Sequence, residues 1–79
     1  MKFTIEIASV PDRDDVIAEI WWGDEMVGEL HSGSSGVAEI EIYPRESHTP
    51  WSFDLTSWLA ALAEAQQKLG RQPMTIPTR

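Results

Sequence analysis

Glu29-Leu30-His31 and Glu39-Ile40-Glu41 are the residues of this chain whose types and spacing could do chemistry. Positions two apart on an extended strand point to the same face. Placed on adjoining strands, the two triplets bring three carboxylates and one imidazole onto one surface. Carboxylates with a histidine can ligate hard or borderline cations, and acids beside a histidine favour its charged form. A flat sheet face, however, spreads such ligands instead of closing around an ion, and perturbed titrating groups also occur in purely structural networks. A solvated acidic face is the plainer reading, so no catalytic residue, metal or cofactor is expected.

Two other stretches offer reactive groups with less support. His48 stands between Ser47 and Thr49, with Asp54 a few residues on. Neighbours in a loop do not supply the geometry of nucleophile, base and orienting group, and an exposed loop histidine is the expectation. Ser32-Gly33-Ser34-Ser35-Gly36 has amides and hydroxyls that could cradle phosphate. No lysine follows it and no strand-to-helix transition surrounds it, so it reads as a hairpin connection.

The elements that must position these residues are short strands. Residues 2–9, 16–22, 26–31 and 37–43 alternate apolar and polar side chains and are rich in β-branched and aromatic types. Val10 to Asp15, with Pro11 and three aspartates, is a loop, and Gly23-Asp24-Glu25 makes a tight hairpin turn. The simplest arrangement is an antiparallel meander. After a polar connection over 44–53, where Trp51 and Phe53 tuck inward, the period changes to about 3.6. Leu55, Trp58, Leu59, Leu62, Ala65 and Leu69 form the apolar stripe of a helix with Asp54 as N-cap and Gly70 as its end. The fold class expected is two-layer α+β: a four-stranded antiparallel meander with one C-terminal helix packed on one face. Residues 1–70 form a single domain, and 71–79 a tail whose Met74 and Ile76 reach the core edge.

Parity then locates the charge. Phe3, Ile5 and Ile7 oppose Glu6; Ala18, Ile20 and Trp22 oppose Glu19 and Trp21; Met26 and Leu30 oppose Glu29 and His31; Ala38, Ile40 and Ile42 oppose Glu39, Glu41 and Tyr43. Val27 falls on the glutamate side by the same count. Like charges across neighbouring strands cost tenths of a kcal/mol up to about 1 per close pair, so folding gives no reason to gather them. An acidic face carrying aromatic anchors is a docking surface for a basic protein. The candidate partner-binding residues are Glu19, Trp21, Glu29, His31, Glu39, Glu41 and Tyr43.

Composition narrows the partner. The chain has 79 residues and a net charge of −7. Residues 1–54 hold twelve acids and three bases, whereas 55–79 hold one acid and three bases, so the acidity belongs to the sheet. Direct binding of nucleic acid or of an anionic membrane is disfavoured by that field. Without cysteine there is no disulfide framework and no thiol nucleophile. No stretch approaches the roughly 20 apolar residues of a membrane span, and the N-terminus is too soon interrupted by Glu6 to act as a signal peptide; a cytoplasmic protein is expected.

The string from Ala18 to Leu69, AEIWWGDEMVGEL, then AEIEIYP, then PWSFDLTSWLAALAEAQQKL, resembles small immunity proteins of bacterial contact-dependent inhibition and Rhs-type polymorphic toxin systems. It covers about two thirds of the chain as a general pattern. The resemblance implies a non-enzymatic antitoxin that binds the C-terminal effector domain of a cognate toxin. Many such effectors are nucleases, whose basic clefts suit an acidic inhibitor. The expectation is a toxin-neutralising protein, monomeric or a weak homodimer. Two alternatives stand beside it: an acidic nucleic-acid mimic or regulatory protein-binding module, and a small metal-binding protein built on the Glu/His set.

Overall fold

The computed structural model describes residues 2–10, 15–32 and 38–70. Four strands, β1 (Phe3–Val10), β2 (Asp15–Trp22), β3 (Glu25–Ser32) and β4 (Ala38–Ile42), precede one helix, α1 (Leu55–Gly70). The strands pair antiparallel in the order β1-β2-β3-β4. This is the α+β meander expected from the alternation, with strand ends within a residue or two of the boundaries read from sequence. The expectations for the loop around Pro11, for most of the Ser/Gly loop and for the tail with Met74 and Ile76 lie outside the described residues.

Between the layers lies a small core of Ile5, Ala18, Ile20, Val27 and Leu30 from the sheet and Ala61 and Ala65 from the helix. Asp54 caps α1 as its sequence context requires. Its carboxylate accepts the backbone N–H of Ser57 at 2.9 Å, and its carbonyl accepts that of Trp58 at 3.0 Å. Trp51 and Phe53 do turn inward. Phe53 meets Phe3 at 4.7 Å and stacks on Trp58 at 5.6 Å between ring centroids, closing one end of the core with Trp22. The indole of Trp51 donates to the carbonyl of Tyr43 at 2.9 Å, fixing the start of the long connection to the strand it leaves.

Three expectations need correction. Val27 does not share the glutamate face: it is 1% exposed and belongs to the core. The cause is a bulge. Ile20 pairs with Gly28 but Trp21 pairs with Met26, so β3 has one extra residue there and its parity reverses on either side. Met26 therefore changes faces too, standing opposite Trp21. Gly28 permits the close approach, since a Cβ there would collide with the carbonyl oxygen of Glu41.

Second, the helix covers half the apolar face. It lies over β1 and β2, touches β3 lightly and does not reach β4. Ile40 and Ile42 have the expected parity but remain exposed. Third, Leu55 and Leu59 are not core residues. The line that meets the sheet runs through Ala61 and Ala65, whose small side chains let the helix approach closely, and turns those two leucines to its exposed flank.

Candidate functional site

Strand register aligns the acids into a row. Glu6 pairs with Glu19, Glu19 with Glu29, and Glu29 with Glu41, so each strand contributes one glutamate to a line crossing the whole sheet. At the spacing of paired strands, about 4.8 Å, this row is roughly 14 Å long. It survives the bulge because the extra residue lies beyond Gly28, on the hairpin side of the row. The next rung toward the Ser/Gly loop pairs His31 with Glu39. All seven residues expected on this surface except Tyr43 lie in the strands; Tyr43 directly follows β4 and is tied to β3 by its N–H, which donates to the carbonyl of Val27 at 2.8 Å.

Hydrogen bonds organise the row. Trp21 donates from its indole nitrogen to Glu19 at 3.1 Å. Tyr43 donates its hydroxyl to Glu29 at 2.6 Å. That bond to a carboxylate, then desolvation, then the nearby charges of Glu29, Glu41 and Glu19 push the Tyr43 phenol up to about 12. His31 Nε2 lies 3.9 Å from Glu41 Oε1. Two of the described basic groups are engaged with other acids: Arg45 pairs with Glu25 at 3.8 Å and lies over the Trp51 ring, and Lys68 pairs with Glu64 at 3.1 Å.

Glu29, His31 and Glu41 bring one potential ligand atom each to within 4.8 Å of one another. These are the residues that could hold a metal. Metal bonds of about 2.0–2.2 Å require closer donors than that outer limit, so the exposed Glu41 carboxylate would have to swing in. Glu39, expected in the same group, faces His31 across the strands but does not join the cluster. His48 is exposed in its turn and adopts a positive φ of 63°, with its N–H donating to the Arg45 carbonyl.

The sequence reading missed a groove beside the aromatic anchors. Trp21, Met26, Tyr43 and Pro44 line it together with Asp24, Glu25 and Glu46. Glu25 also accepts the backbone N–H of Glu46 at 2.9 Å, which folds the connection after Tyr43 back against the β2–β3 turn. The missed signal was Gly28: an isolated glycine inside a strand marks a bulge, and the bulge puts Met26 beside Trp21. Ile17 was also missed. It shares the parity of Glu19, is 6% exposed and lies outside the main core cluster.

A scan against protein-family models, a search of curated proteins and a search of solved structures give no match to this chain. Among the described residues, no helix is long and apolar enough to cross a membrane.

Proposed function

We propose that this chain is a stoichiometric binding protein that neutralises the effector domain of a cognate bacterial toxin, acting in the cytoplasm through its acidic sheet face. The observation that carries the reading is the in-register row Glu6, Glu19, Glu29 and Glu41. Such a row opposes folding through repulsion along its length, and a basic partner would relieve that repulsion on docking. Trp21 and Tyr43 stand beside the row with their polar atoms already satisfied by glutamates, which leaves their rings as apolar contact area. The step from a basic partner to a toxin rests on the resemblance of the 18–69 span to immunity proteins. Nothing in this reading requires catalysis.

The test is co-expression with the C-terminal effector domain encoded by the neighbouring gene. Rescue of growth and a one-to-one complex on size exclusion are expected; a toxic domain that neither binds nor is neutralised sinks the proposal. The convergence of Glu29, His31 and Glu41 favours a second reading, a divalent-cation module. Calorimetric titration with zinc or manganese tests it, and absence of both heat and a shift in melting temperature dismisses it.

A further inference from the structure

Among the described residues, nothing pairs with the outer edge of β4, and both of its faces are exposed. All five of its residues are exposed. Ile40 and Ile42, 40% and 56% exposed, lie on the face that α1 covers elsewhere, and Glu39 and Glu41 lie on the acidic face. The edge itself is presented for pairing. Because Tyr43 donates to the Val27 carbonyl, residues two and four before it bond to β3, and the backbone groups of Ala38, Ile40 and Ile42 turn outward. The opposite edge differs, since the Ile5 carbonyl of β1 accepts the Lys68 ammonium at 3.2 Å.

That lysine also orients the helix flanks. Leu59 is nine residues from Lys68, half a circle around the helix. With Lys68 over β1, the exposed Leu59 lies on the flank of α1 turned away from β1.

We propose that the β4 edge receives an extended strand of a partner protein in which apolar and basic residues alternate. The inference rests on the reading of a basic partner and adds how that partner engages. Backbone pairing with Ile40 and Ile42 supplies the ladder, and alternate side chains supply the selection. The apolar residues of the incoming strand fall beside Ile40 and Ile42 on the helix side; its basic residues fall beside Glu39 and Glu41. Charge chooses among occupants. A second copy pairing antiparallel about Ile40 would set Glu39 beside the copy's Glu41, adding acid to acid.

The experiment uses the full chain, isotopically labelled, and a capped ten-residue peptide alternating valine and lysine as the probe. One control has the same composition in two blocks; another keeps the alternation but is N-methylated at its valines. The alternating peptide is expected to shift the amides of Ala38, Ile40 and Ile42, to slow hydrogen exchange at Ile40 and Ile42, and to bind at least about tenfold more tightly than either control. Ile40→Lys should weaken it by a similar factor; if that variant does not fold, the N-methylated peptide decides. No binding up to about 1 mM overturns the proposal. Equal binding of the block peptide, with shifts spread over Glu19 and Glu29, overturns strand addition while leaving the acidic docking face standing. Protection of the Ile40 and Ile42 amides in the free chain overturns it as well: concentration-independent protection assigns the edge to residues 71–79, and concentration-dependent protection to a second copy.

Discussion

Tyr43 donates its hydroxyl to Glu29 across the β3–β4 pair at 2.6 Å, so the aromatic anchor of the acidic face is held by the charge it stands beside. The fold therefore prefers the neutral phenol, whose titration is pushed up to about 12. A raised value in the folded state means that the folded chain keeps a proton the unfolded chain releases near 10. The contribution to stability is complete below pH 10 and is lost as the pH climbs from there through 12. Ultraviolet titration of the single tyrosine should find its midpoint well above 10, and Glu29→Gln should move it down. A midpoint unchanged by Glu29→Gln would show that the bond does not form.

Glu19 has acids on both sides in the row. Glu19→Gln keeps an acceptor for the Trp21 indole and removes the repulsion with Glu6 and Glu29. The variant should be more stable by a few tenths to about 1 kcal/mol in urea melts at low salt, with the gain shrinking as salt is added. A loss of stability would mean that the row is held by attractions and is not a folding cost.

Gly28 faces the carbonyl of Glu41 with no room for a side chain. Gly28→Ala must push β3 and β4 apart or undo the bulge, and should cost about 1–3 kcal/mol in denaturant unfolding. Amide shifts in the variant should concentrate at Val27, Gly28, Glu41 and Ile42. An unfolding midpoint equal to that of the parent chain would contradict the close approach of Gly28 to Glu41.

Glu39 and Glu41 are exposed at the end of the sheet and contribute little to packing. Reversing both to lysine should preserve the circular dichroism spectrum and, on the proposed reading of a basic effector domain as partner, slow association with it by about tenfold or more at low salt. Stopped-flow measurement across a salt series checks this. Association rates equal to those of the parent chain at low salt would remove this end of the face from the interface.

The meander, the cap at Asp54 and the glutamate parity were legible because each follows from local periodicity or a single side chain. Alternation places Ile5 and Glu6 on opposite faces whatever the rest of the chain does. Val27 and Met26 were misplaced because a bulge adds one residue and inverts the count, and only Gly28 hinted at it. The lateral position of α1 was not legible either. Leu55 and Leu59 satisfy the helical period as well as Trp58 does, and the choice among them is made by how closely Ala61 and Ala65 let the helix settle on β1 and β2. The convergence of Glu29, His31 and Glu41 was readable from strand adjacency; the exclusion of Glu39 depends on side-chain placement that spacing does not encode.

Lys68 at the β1 carbonyl of Ile5 has a consequence for assembly. A sheet that can add strands at both sides can propagate copy after copy into a fibre, whereas an ammonium seated at Ile5 takes up one acceptor that a strand added at the first edge would need, so growth there is handicapped relative to β4. Pairing at β4 then favours a closed assembly over a fibre. A small acidic domain produced in large excess over its partner would in this way remain a collection of discrete particles, each with one seat to fill.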